Sequence, residues 1–244
     1  MFHTLLNRPL KTLALLAAFG ALGASSASAG SIAIQSDPAN STSGLGAFTG
    51  SLDYTGTVLT VTLTNISDPG NGGYITGLLL NIDDADDDAT ATFVDTDDLS
   101  TTGLNESDFS NTGAGNGGQP FGAFEFGAAL GGNFNGGGNP NKGIGVGQTG
   151  IFKFNVSDPD SEVFDVHDFL SEFSPGQGNN AKTAAMLVRF KGFCDDGSDK
   201  VPGAKVCPAV PLPPAAWASL STLGLIGAVG MRRKIAGVAL GLIS

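Results

Sequence analysis

The chain has 244 residues with 23 Asp and Glu against 12 Lys and Arg. That length allows one medium domain or two small ones. Two of the cations sit near the N-terminus and three near the C-terminus, so residues 30–231 hold seven cations against all 23 acids, a balance of −16. Such a surface repels nucleic acid and anionic lipid headgroups and attracts divalent cations. Glycine, 37 of 244, is about twice its usual ~7% share. Thr, Ser, Asn and Gly fill the polar positions, the look of an extracellular all-β protein with long loops.

Residues 1–29 have the three parts of a secretory signal. Arg8 and Lys11 are its only charges, "TLALLAAFGALGA" is the apolar stretch, and Ala27-Ser28-Ala29 is a small-x-small cleavage site. The mature chain is therefore expected to start at Gly30. The apolar stretch is short for a membrane span.

Strands follow. "VLTVTLTN", Val58 to Asn65, alternates Leu59, Val61 and Leu63 with Thr60, Thr62 and Thr64, the mark of a half-buried strand. "GIFKFNV" places Phe152, Phe154 and Val156 inward. "AMLVRFKGF" alternates Met186, Val188 and Phe190 with Leu187, Arg189 and Lys191. Weaker candidates are Ser31–Gln35, Ala47–Tyr54, Ile75–Ile82, Ala91–Val94 and Phe121–Phe126. Turn-forming "SDPGNGG" and "SDPDSE" punctuate them. One short helix is expected over Glu162–Phe173, with Val163, Val166, Phe169, Leu170 and Phe173 on one stripe. Residues 111–147 are Gly/Asn-rich and read as long loops. Lys142 there is followed by Gly143, so no phosphate-binding loop is formed. The expected fold of residues 30–207 is an antiparallel β-sandwich, jelly-roll or Ig-like, of about eight strands.

The acidic run "NIDDADDDATATFVDTDD" packs Asp83, Asp84, Asp86, Asp87 and Asp88 into six residues. Calcium favours carboxylate-rich loops, so these five are the candidate calcium ligands; EF-hand spacing is absent. "CDDGSDK" is a second small cluster, with Asp195, Asp196 and Asp199. No other cofactor is expected. Catalysis is not expected either. His167, the one histidine after the signal, has no nucleophile signature beside it. No acid is flanked by aromatic residues of the kind that raise a carboxyl pKa or line a sugar subsite. Cys194 and Cys207 are the only cysteines. After export a disulfide is the default, worth on the order of 3 kcal/mol for a short loop.

The C-terminal end runs Val210-Pro211-Leu212-Pro213, then an apolar segment over residues 215–231, then Arg232, Arg233 and Lys234. The segment is near the lower limit for a spanning helix, and the cations supply a positive-inside stop. A transmembrane helix is expected there. The three parts resemble, in order, the PEP-CTERM sorting signal in its VPLPA-type form. "VPLPPAAW" is the short motif, with Leu212 where the name-giving form has Glu. Residues 208–234 are the sorting segment, and "IAGVALGLIS" (235–244) is an apolar tail beyond the usual stop.

The resemblance implies export, transient anchoring in the membrane through the C-terminal helix, and recognition near the prolines by an exosortase, a membrane-embedded cysteine protease. It also implies a final place at the cell surface or outside the cell, in association with exopolysaccharide. "LTNISDPGNGGYITGLLLNI" (63–82) and "LVRFKGF…GSDKVPG" (187–203) resemble other exported proteins of this kind and imply no activity. The chain is thus expected to be a surface or matrix structural protein. The alternative is a secreted carbohydrate-binding module or carbohydrate-active enzyme using the Asp-rich loops.

Overall fold

A computed structural model describes residues 30–95, 108–114, 117–136 and 138–207. The signal segment and the sorting segment lie outside the described residues. Among the described residues no helix is long and apolar enough to cross a membrane. The unit ending at Ala204 is compact and carries the fold.

The class is all-β and antiparallel, as expected. Among the described residues ten strands run β1 (Gly30–Ser36), β2 (Phe48–Tyr54), β3 (Val58–Asn65), β4 (Gly72–Leu80), β5 (Thr90–Asp95), β6 (Phe109–Asn111), β7 (Phe126–Leu130), β8 (Thr149–Ser157), β9 (Met186–Phe193) and β10 (Ser198–Lys205). They form one sheet in the order β5-β8-β3-β2-β1-β10-β9-β4-β7-β6, nearly closed into a barrel. Every pairing whose register is described is antiparallel. Two halves meet at β1 and β10 and face each other across one core. Leu59, Val61, Leu63, Phe152 and Phe154 come from one half, and Ile75, Leu78, Leu80, Phe126, Val188 and Phe190 from the other. Phenylalanine rings lock the middle: Phe152 meets Phe109 edge-on at 5.1 Å, and Phe154 meets Phe126 at 5.2 Å.

Alternation worked where one face meets solvent. Thr60, Thr62 and Thr64 are half-buried opposite the fully buried Leu59, Val61 and Leu63. On β9 the expected outer face is itself covered. Leu187 packs with Leu79, Phe121, Phe124, Ala129, Phe134 and Ala184 in a second, smaller core outside the sheet. The Gly/Asn-rich stretch is therefore a cover over the second half. This explains why Phe121–Phe126 is not a strand. Phe121 and Gly122 both donate to the Gly118 carbonyl in a turn, at 3.0 and 2.9 Å, and Gly122 has φ +83. The strand starts only at Phe126.

The helix over Glu162–Phe173 is not formed either. Only Asp168–Leu170 makes one 3₁₀ turn. Asp165 accepts the His167 N–H and Asp168 accepts the Asp165 N–H, and such side-chain bonds compete with helical ones. The segment buries Phe164, Val166 and Phe169 and leaves Val163 and Phe173 exposed.

Cys194 and Cys207 are both free and exposed. The expected disulfide is not shown: no bond joins the two sulfurs in this structure. Cys194 lies in the β9–β10 turn, and the span that follows is strand β10, not a loop.

Asp199, expected in a loose acidic cluster, is buried on β10. Its Oδ1 accepts the Thr42 N–H (3.1 Å), the Thr42 hydroxyl (2.9 Å) and the Ser43 N–H (2.9 Å). Its Oδ2 accepts the N–H groups of Leu45 (2.9 Å) and Gly46 (3.0 Å). Asp199→Asn turns one acceptor into a donor facing donors. It is expected to destabilise the domain by about 3 kcal/mol, lowering the melting temperature by roughly 6–12 °C. A melt within 2 °C of wild type would show the network to be dispensable.

Candidate functional site

Antiparallel pairing decides which loops meet. Thr90 of β5 pairs with Ser157 of β8, and Leu80 of β4 with Phe126 of β7. The 81–89 loop, the 158–162 loop and Glu125 therefore gather at one end of the sheet. Both loops carry the spacing acid-x-acid-x-acid: Asp84, Asp86 and Asp88 in one, Asp158, Asp160 and Glu162 in the other. Each winds around its first carboxylate. Asp84 Oδ2 accepts the N–H groups of Asp88 (2.9 Å) and Ala89 (2.6 Å). Asp158 accepts those of Asp160 (2.6 Å) and Glu162 (3.0 Å). In each loop the residue before the last acid has positive φ, Asp87 at +62 and Ser161 at +63.

Two sets of carboxylate oxygens converge, Asp84 with Asp158 and Glu162, and Asp84 with Asp86 and Asp88, each set within 4.8 Å of one another. Oxygens bound to one calcium at 2.3–2.6 Å lie at most about 5 Å apart, so either set has a spacing this ion can take. Asp84 is common to both. Of the five candidates, Asp84, Asp86 and Asp88 are brought together. Asp83 and Asp87 belong to neither set; Asp83 is exposed, with its N–H on the Asp168 carbonyl. Asp158 and Asp160 were read only as turn residues, and Glu162 also as the start of the expected helix. The repeated spacing of acids was the signal that could have found them.

The electrostatics agree with crowding. Desolvation, then neighbouring carboxyls, hold both Asp86 and Asp88 above the usual carboxylate range, Asp160 and Asp84 acting on Asp86, and Asp86 and Asp158 on Asp88. A hydrogen bond to Asp84 raises Glu162. The Ala89 N–H, the largest cause, lowers Asp84.

Behind the loop stands a second pair that sequence reading missed. Glu125 accepts the Ile82 N–H at 2.6 Å, and its own N–H goes to Asn81 Oδ1 at 3.1 Å. Burial, with Glu172 beside it, pushes Glu125 up to about 7. Burial also raises Glu172. His167 is exposed.

No family model, curated protein or solved structure matches the chain.

A carboxyl raised in the folded state favours folding below its unfolded pKa, and that contribution is lost as pH rises through the folded value. For Glu125 the window runs from about 4.5 to about 7. In chelator the melting temperature is therefore expected to fall between pH 5 and pH 7.5, with Glu125→Gln flattening the profile. At pH 7.5 calcium at 100 times its dissociation constant adds about 2.7 kcal/mol. Melts that ignore both calcium and pH would reduce the acidic end to solvated loops.

Proposed function

We propose that the chain is an exported structural protein of the cell surface or extracellular matrix, associated with exopolysaccharide. It is sorted by residues 208–234, processed by an exosortase-type protease, and has no catalytic role. The observation that carries this reading is the ordered C-terminal triplet: Val210-Pro211-Leu212-Pro213, an apolar run, and Arg232-Arg233-Lys234. β10 ends at Lys205, five residues before Val210. Prolines disfavour helix and sheet, so this stretch suits the extended linker a protease binds. The apolar run holds it at the membrane face as a temporary transmembrane helix, and the cations set its depth.

The acidic balance of the middle suits a protein outside the cell. In this reading the two halves of the sheet serve as the faces of a sandwich of jelly-roll or Ig-like type, and the acidic end takes calcium.

Fractionation in the native host tests the proposal. Wild type is expected to lose residues 1–29 and to be cut near the prolines. Pro211→Ala with Pro213→Ala is expected to be exported but uncut and retained in the membrane. Replacing Arg232, Arg233 and Lys234 with Ser also blocks processing. Release of the proline double variant at the wild-type level would contradict the sorting assignment.

A further inference from the structure

A cleft of about 610 Å³ lies between the 42 loop, the 119–120 turn and the 177–182 loop. Thr42, Gln119, Gln177, Asn179, Asn180 and Lys182 supply its polar lining, and no Asp or Glu is among the lining residues. In a domain with 23 acids and seven cations, the described lining of this cleft carries one charge, the Lys182 cation.

Its walls are held in place. Gln177 and Lys182 donate their N–H groups to the Pro120 carbonyl at 2.8 and 3.0 Å, and Gly176 donates to Phe121 at 3.1 Å. Lys182 Nζ donates to the carbonyls of Asn40 (2.8 Å) and Ser41 (2.7 Å). Lys200 Nζ donates to those of Gly117 (3.1 Å) and Gln119 (2.7 Å), which brings it to the cleft's edge. An ammonium has three donors, so each lysine keeps one beyond these bonds.

A third cation stands behind them. Arg189 faces Lys200 across the β9–β10 pair. It is 8% exposed, its Nη1 donates to the Phe134 carbonyl, and its buried Nε has no partner. Like charges directly opposite in a sheet repel. Burial and then Arg189 hold Lys200 down at about 8. Asp199, next to Lys200 in the chain, is taken up by five donors of the 42–46 loop. Asp37, close to the Asn40 carbonyl that takes Lys182, accepts from the Asn40 side-chain amide at 2.6 Å. Among the described residues no carboxylate is hydrogen-bonded to Lys182, Lys200 or Arg189, so an anion entering the cleft meets a Lys182 ammonium held only by backbone carbonyls.

We propose that this cleft binds an acidic oligosaccharide. The Lys182 ammonium takes the carboxylate of a uronic acid unit. The amides of Gln119, Gln177, Asn179 and Asn180, each both donor and acceptor, take the sugar hydroxyls. No aromatic ring lines the cleft, so binding is driven by charge and hydrogen bonds and weakens with salt. The inference deepens the matrix reading and rests on it for the ligand's setting. Binding in solution does not depend on sorting, so the two can fail separately.

The test is calorimetric titration of the full chain with oligogalacturonate, in chelator so that calcium cannot bridge sugar to the acidic loops. Neutral oligoglucose of equal length and acetate at equal carboxylate concentration are run beside it. The acidic oligomer is expected to bind at least tenfold more tightly than either. Lys182→Gln keeps a donor for Asn40 and Ser41 and is expected to weaken binding about tenfold. Asn179→Ala with Asn180→Ala, both exposed, is expected to weaken it at least fivefold with an unchanged melt. Absent binding, equal binding of the neutral oligomer, or wild-type affinity in the Asn179/Asn180 variant would overturn the proposal. Acetate binding as tightly as the oligomer would leave a simple anion site and overturn the sugar assignment.

Discussion

Asp199 stands at the seam where the two halves of the sheet join. β1 and β10 are neighbours there, and the loop that leaves β1 must turn over the seam to start β2. Four of its backbone N–H groups and one hydroxyl end on this single carboxylate. Buried donors without partners are costly, so one side chain decides whether the chain can pass from one half to the other. Lys200, the next residue, points to the opposite face and ties down the Gly117 and Gln119 carbonyls of the outer cover. Two adjacent residues of β10 thus organise the seam and the cleft, one from each side of the sheet.

The same topology separates charge. Crossing loops from β4 and β8 put acids at one end of the barrel, because β5 and β8 pair from Thr90 and Ser157 onward. Three cations gather on the outside of β9 and around the seam. The acidic end can relieve its repulsion with protons or a divalent cation. The cationic cleft can do so with an anion. Neither feature needs the other.

Much of the fold was legible where a strand has one wet face. β3 and β8 showed period 2 because Thr and Lys or Asn alternate with Leu, Val or Phe. β7, "FGAAL", is buried at all five positions and shows no period. β10 carries Pro202 and a buried Asp, both of which argue against an inner strand from sequence alone. The helix over 162–173 failed because Asp165 and Asp168 bond local backbone, which apolar spacing does not reveal. Half of the acidic site was visible as a run of Asp. The other half was hidden in a Pro-containing turn, since only the sheet register brings Asp158–Glu162 beside Asp84.

Two loops far apart in sequence bring their carboxylates within reach of one cation, Asp84 with Asp158 and Glu162. Calorimetric titration of calcium into three chains addresses this directly: wild type, Asp86→Asn in the first loop, and Glu162→Gln in the second. Binding in wild type that weakens at least tenfold with either change is the predicted result. Wild-type affinity in the Glu162→Gln chain would contradict the account, because the second loop would then take no part.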